Sequence, residues 1–353
     1  MQMNITFLIG NGFDLNYGLK TSYQAFYKHY ITLPESKDDL LATSIMEEPQ
    51  LWSDLEMGLG ELFGKTEAKD LRKFFDSKFR LEDALVNYLK NEQKKFVVKN
   101  QEALIAEFKN NVVNFYKDFM EQDQQEYLSF LNGSGEINYR FVTFNYTNIL
   151  DGIVARSSTN NIFSKHICNG TNYNDRIKPV LHIHGTLTEG FILGIDSEKQ
   201  GSENTFKQYP KYKKLLIKRV TNENLKNNKN ATLKNILLDS RYICLYGLSI
   251  GETDESWWKQ IAEWLRHDQK NRLVIYNHLK GEVPVSAGRR LALDDSVKDT
   301  FVQRSGIPEE QVEKIYSQII VLHNSSIFNF KNVEVTDVSE EKSSKHEETV
   351  GAV

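Results

Sequence analysis

Residues 4–18 read NITFLIGNGFDLNYG. The run Asn4–Ile9 is short and apolar, is β-branched at Ile5, Thr6 and Ile9, and stops at Gly10-Asn11-Gly12. A run of this kind closed by glycine predicts a buried strand. Phe13, Asp14 and Leu15 then open a helical pattern. A glycine-bearing turn between strand and helix lets the backbone approach a diphosphate and offers N–H groups at the helix start. Gly10, Asn11 and Gly12 therefore predict a phosphate-binding turn. The third glycine of the dinucleotide fingerprint is missing, with Leu15 in its place, so a tight turn that binds nothing is the alternative. Asp14 either caps the helix or meets the ligand. A carboxylate repels phosphate, so a ribose hydroxyl is its fitting partner.

The composition bounds the kind of protein that carries this turn. The chain has 353 residues, 40% hydrophobic and 26% charged, with 20 Phe, 16 Tyr and 4 Trp. That is a globular composition with ample aromatic area for a large core. The net charge of -4 comes from residues 334–353, which hold six acids and two lysines. The body is near neutral and carries no global signal for nucleic acid or a membrane surface. Two cysteines, Cys168 and Cys244, are too few for a disulfide framework or a cysteine zinc site. With no basic leader and no long apolar window, the expectation is a soluble cytoplasmic protein in a reducing compartment.

Periodicity organises the rest. Leu104, Phe108, Val112, Phe115 and Phe119 recur at helical spacing, as do Leu81, Leu85, Tyr88 and Leu89. Residues 15–130 are expected as a large helical insertion after the first strand. Strands are expected at YRFVTFNYT (139–147), KPVLHIHG (178–185), GFILGID (190–196), SRYICLYGLSIG (240–251), RLVIYNH (272–278) and SQIIVLHN (317–324). DESWWKQIAEWLRHDQ (254–269) reads as an amphipathic helix capped by Asp254, with Trp258, Ile261 and Leu265 as its apolar stripe. Residues 203–235 read as lysine-rich surface helices with a loop at 227–230. The alternation predicts an α/β fold with a Rossmann-like, mainly parallel sheet, in one domain over residues 1–333, followed by a disordered acidic tail at 334–353.

In such a sheet, ligands lie beyond the carboxyl ends of the strands. Four predicted strand ends carry polar or glycine clusters: Gly10-Asn11-Gly12, Asn145-Tyr146-Thr147, His184-Gly185 and Gly247-Leu248-Ser249. Alternation places Thr143, Asn145 and Thr147 on one face. Asn145 suits a sugar hydroxyl or a water, or else closes an Asx-turn. His182 and His184 share a face in the same scheme and are candidates for a general base or for satisfied core residues. No third ligand accompanies them, so no metal is expected. Glu56 either stabilises a cation or sits on a helix surface. Lys207, Lys211, Lys213, Lys214, Lys218, Arg219, Lys226 and Lys229, interleaved with Phe206, Tyr209 and Tyr212, form either a nucleic-acid track or a solvated helical face.

Taken in order, Gly-x-Gly, Thr-x-Asn-Tyr, His-Gly, Gly-x-Ser and VIYN (274–277) resemble the sirtuin-like NAD-binding fold. FLIGNGFDLNYGLKTSYQAF (7–26), TFNYTNILD (143–151), HIHGTL (182–187), LYGLSIGETDESWW (245–258) and LWSDLE (51–56) are similar to the bacterial AbiH family of phage abortive-infection proteins. The resemblance implies NAD held across the strand ends. It puts Gly10, Asn11 and Gly12 at the diphosphate, Asn145 at the nicotinamide ribose and His184 as the catalytic histidine. It puts Gly247 and Ser249 under the adenosine side and Asn277 at the adenosine ribose. Asp14, Thr143 and His182 are expected beside them as ligand contacts. Three departures stand out: Asn11 replaces a small residue, Asp14 replaces a serine, and Thr147 replaces an aspartate. Two cysteines do not make the zinc module of protein deacylases. The implied activity is hydrolysis of NAD at the nicotinamide–ribose bond, with no metal, held silent until a phage or host protein trigger or a homo-oligomer releases it. A non-catalytic nucleotide sensor and a nucleic-acid-acting effector are the alternatives.

Overall fold

The first strand, β1 (Met3–Ile9), is buried along its whole length in the computed structural model, which describes residues 2–336. Ile5, Phe7 and Ile9 enter one apolar core and Leu8 enters another, because successive side chains on a strand point to opposite faces. Only a strand covered on both sides reads as a continuous apolar run. The remaining strands are β2 (Phe96–Val98), β3 (Ile137–Thr143), β4 (Ser164–Cys168), β5 (Thr171–Ile177), β6 (Leu181–His182), β7 (Tyr242–Tyr246), β8 (Arg272–Asn277), β9 (Ile319–His323) and β10 (Val333–Val335). The main sheet runs β4-β5-β3-β1-β7-β8-β9, with β6 beside β3. Strands β3, β1, β7, β8 and β9 are mutually parallel, and β4 is antiparallel to β5. The chain first builds to one side of β1 and later to the other, so the strand order reverses at β1. Its carboxyl end is the topological switch point, where open α/β sheets form ligand crevices.

Helices cover both faces. On one, Leu104, Phe108 and Val112 of the helix Gln101–Val113 meet Phe7, Phe141 and Phe328. On the other, Trp258, Ile261 and Leu265 of the helix Glu255–His267 form the expected stripe, joined by Trp257 and Trp264. The helical stretch after β1 divides its work. Its later part packs on the sheet. The helices Tyr23–Tyr30, Leu40–Glu47, Leu55–Lys65 and Leu71–Lys94 instead build a third cluster with Leu187, Leu193, Ile195 and Phe206, joined to the sheet through Tyr146.

Several expectations are corrected. Strand β3 ends at Thr143, so Phe144–Thr147 leaves the sheet. KPVLHIHG supplies only the two residues of β6. Residues 190–196 form no strand: Ile195 makes one isolated bridge to Ile217, and Ile192, Leu193 and Ile195 are buried from a loop. The pair β4 and β5 was hidden by its polar sequence. Asp254 makes no side-chain cap bond and is drawn instead to Lys218. The chain stays ordered to β10, which pairs with β2, so the expected tail does not begin at 334; its residues 337–353 lie outside the described residues.

The glycines of the opening stretch have a packing reason. Gly10 N–H donates to the Tyr246 carbonyl at 2.9 Å, and Gly12 N–H donates to the Gly247 carbonyl at 2.8 Å. A Cβ on Gly12 would stand 2.4 Å from the Gly247 Cα, and one on Gly10 would stand 2.5 Å from the Gly247 oxygen. Gly247 is left-handed, with φ +65°. Two backbones touch here, tying the ends of β1 and β7. Gly12→Ala is expected to cost about 3 kcal/mol, read as a lower urea midpoint. Gly281→Ala, where a Cβ meets open space, should change stability by less than about 0.5 kcal/mol. Equal midpoints for the two variants would contradict this reading.

Candidate functional site

The helix that follows the glycine turn is short, Gly12–Asn16, and it turns Asp14 inward. Asp14 is 1% exposed. Its Oδ2 accepts a 2.7 Å hydrogen bond from the Thr147 hydroxyl, and its Oδ1 has no partner among the described residues. Burial raises its pKa to about 6, against the opposing pull of Thr147, the Asn145 amide and His182. Asp14, Asn145, Thr147, Asn11, Thr21 and Tyr23 line a cavity of about 80 Å³ at the ends of β1 and β3. The resemblance expects a serine at 14 and an aspartate at 147. This chain has Asp14 and Thr147, and the two side chains are bonded across 133 residues of sequence.

Asn145 is held from behind. Its N–H donates to the Thr143 hydroxyl at 3.1 Å, and that hydroxyl donates to the Ile9 carbonyl at 3.1 Å. His182 Nδ1 faces the Asn145 carbonyl at 3.0 Å, and Nε2 faces the Asp151 carboxylate at 2.9 Å. Thr143 and His182 thus brace Asn145 and are spent on protein partners rather than lining the cavity, which corrects their expected place as ligand contacts. Asn11 ties down the next loop, with Oδ1 accepting from the Thr21 hydroxyl at 2.6 Å and Nδ2 donating to the Thr21 carbonyl at 3.2 Å.

His184 does not share a face with His182, because β6 stops at His182. Its buried ring lies against Phe144, with centroids 5.6 Å apart, and opens with Ile183 into a different pocket of about 810 Å³ beside Lys218, Asn222 and Trp257. Burial, then the charges of Lys218 and Lys229, hold its pKa well below the usual histidine range, so the imidazole is neutral. Glu56 is not on the surface. It is buried and accepts from Lys218 Nζ at 2.6 Å, with Asp254 3.6 Å from the same nitrogen. Burial pushes Glu56 up to about 8. Burial disfavours the Lys218 ammonium, but Glu56 and Asp254 outweigh it and keep the group charged. In the lysine-rich segment Lys207, Lys213 and Arg219 also pair with carboxylates, so the run is not a free cationic track.

A larger cleft of about 750 Å³ lies beyond the carboxyl ends of β1, β7 and β8. Gly12, Gly247, Ser249 and Asn277 line it, and Asn11 lines both cleft and cavity. Leu15, where the third glycine is missing, lines it too. The N–H groups of Gly10 and Gly12 are already spent on β7, which corrects their expected role as a phosphate cradle. A ribose hydroxyl fits the free Asp14 oxygen, which needs a donor. Sequence reasoning missed the Asp14–Thr147 bond. Thr21 and Tyr23 gave no signal, and Lys218 was read only as part of the lysine-rich run.

The fold and site define an α/β protein with a buried acid beside a cleft at the switch point of a mainly parallel sheet. The sequence matches the family described as bacteriophage abortive infection AbiH over residues 6–276. The chain belongs to that family, and its role lies in phage abortive infection. No curated protein matches the sequence. Among the described residues no helix is long and apolar enough to cross a membrane, and no group of three or more His, Cys, Asp or Glu could hold a metal ion.

The pKa of Asp14 sets a pH dependence. Its folded value of about 6 exceeds the ordinary 3.8, so the native state binds this proton more tightly than the unfolded chain does. The contribution is fully present below pH ~4 and is lost as pH rises through ~6, a total change of up to about 3 kcal/mol. Asp14→Asn should therefore raise stability at pH 7.5 by about 1–3 kcal/mol, with the gain vanishing near pH 4. Urea unfolding at both pH values checks it. A variant less stable than wild type at pH 7.5 contradicts it.

Proposed function

We propose that the protein is an abortive-infection effector that binds NAD and hydrolyses the bond between nicotinamide and ribose. The observation that carries this reading is the free, buried Asp14 oxygen, in a cavity that shares Asn11 with a cleft at the sheet's switch point. The nicotinamide ribose occupies the Asp14 cavity and the adenosine half runs along Gly247, Ser249 and Asn277. When the C1′–N bond breaks, its electron pair leaves with neutral nicotinamide and positive charge builds on the ribose. The Asp14 carboxylate faces that charge. The Asn145 amide orients the ribose or the attacking water. The water oxygen bonds to C1′, and its proton passes to Asp14, whose pKa of about 6 suits a base near neutrality. Asp14 takes the proton-accepting part expected of His184, which opens into the other pocket.

Purified protein incubated with NAD, with and without lysate from phage-infected cells, tests this by chromatographic measurement of free nicotinamide. Asp14→Asn and Asn145→Ala should each lower the rate at least about 100-fold, and the wild-type rate should rise as pH increases through about 6. The predicted stability of Asp14→Asn separates lost chemistry from lost fold. Rates unchanged in both variants would refute the mechanism. A second reading, a nucleotide sensor without chemistry, is favoured by the turn of His184 away from the cavity; NAD that binds but is never cleaved would establish it.

A further inference from the structure

At the far end of the cleft, three side chains form a hydrogen-bonded line. His323, the last residue of β9, has Nε2 2.7 Å from an Asp294 carboxylate oxygen, and its Nδ1 is 3.0 Å from the amide nitrogen of Asn277, the last residue of β8. The His323 side chain is 4% exposed, so water does not compete for these bonds. An ionised carboxylate only accepts, so Nε2 carries the hydrogen. The Asn277 amide nitrogen that faces Nδ1 can only donate, so Nδ1 is the acceptor. This fixes which way the amide points. Its oxygen, the end turned away from His323, has no hydrogen bond from the described residues, and Asn277 lines the cleft.

We infer that Asp294 and His323 are positioning residues that lock the Asn277 amide with its oxygen to the cleft, so that this end selects a hydroxyl donor and rejects a phosphate. The inference rests on the proposed NAD reading, in which the donor is a hydroxyl of the adenosine ribose. An independent feature points the same way. The described residues lining the cleft include no Lys, Arg, Asp or Glu. A phosphate added to that ribose would bring about two negative charges against the Asn277 carbonyl oxygen, with the Asp294 carboxylate behind it and His278 as the one imidazole among the described lining residues.

The test is calorimetric titration of the full chain with ADP-ribose and with its 2′-phosphate, neither of which has a nicotinamide bond to break. Wild type should bind ADP-ribose at least about 10-fold more tightly. Asp294→Asn frees the His323 tautomer and lets the Asn277 amide turn; the ratio should fall below about threefold. His323→Leu should lose the ratio as well. His323→Gln, which can still accept from Asn277 and donate to Asp294, should keep it. A merely structural defect would weaken both ligands together and leave the ratio intact. Equal wild-type affinities, or an unchanged ratio in Asp294→Asn, would overturn the inference while leaving NAD hydrolysis standing. If wild type binds neither ligand and releases no nicotinamide from NAD, the proposed function falls and this inference falls with it.

Discussion

The backbone contact between Gly12 and Gly247 is the constraint on which the site depends. It leaves no room for a side chain at Gly10 or Gly12, and it forces the ends of β1 and β7 together at the point where the strand order reverses. The chain leaving β1 must then turn at once into the short helix Gly12–Asn16. That turn carries Asp14 beneath Thr147, at the end of the other strand flanking β1. The carboxylate is consequently placed by main-chain packing, which is stiffer than any surface loop.

Holding an acid there is costly. Burial raises the Asp14 pKa, and one of its oxygens goes without a partner, an arrangement that stability alone would remove. The surrounding structure supports it through Thr147, the braced Asn145 and the Asp151–His182 pair behind them. A second buried charge cluster does different work. Lys218 meets Glu56 from the helix Leu55–Lys65 and Asp254 from the start of the helix after β7. It thereby ties the separate helical cluster to the sheet. Such a pair adds little net stability but is expensive to break, so it fixes one relative placement of the parts it joins.

How much of this was legible follows from the physics of each signal. Strands β1, β7, β8 and β9 were readable because strands buried on both faces are continuously apolar, and the helix Glu255–His267 because its stripe has one period. Strands β4 and β5 were not: TNYNDRI is polar, and its place is set by pairing at a sheet edge. GFILGID misled because apolar residues show burial without saying whether a strand or a loop does the burying. The shared face of His182 and His184 failed because alternation holds only while a strand lasts, and β6 lasts two residues. Glycine at 10 and 12 was read as room for a diphosphate; the group that stands against both is the Gly247 backbone. Glu56 and Lys218 could not be paired from sequence, since neither position carries a mark of a partner 162 residues away. The Asp14–Thr147 bond could not be read either, since its partners lie 133 residues apart and only the fold brings them together.

The most direct measurement is a structure determined with an NAD analogue whose nicotinamide–ribose bond cannot break. The account predicts a ribose hydroxyl within about 3.2 Å of the Asp14 oxygen that now has no partner, with the adenosine half reaching Asn277. An analogue seated in the His184 pocket, with the Asp14 oxygen still unbonded, would contradict it.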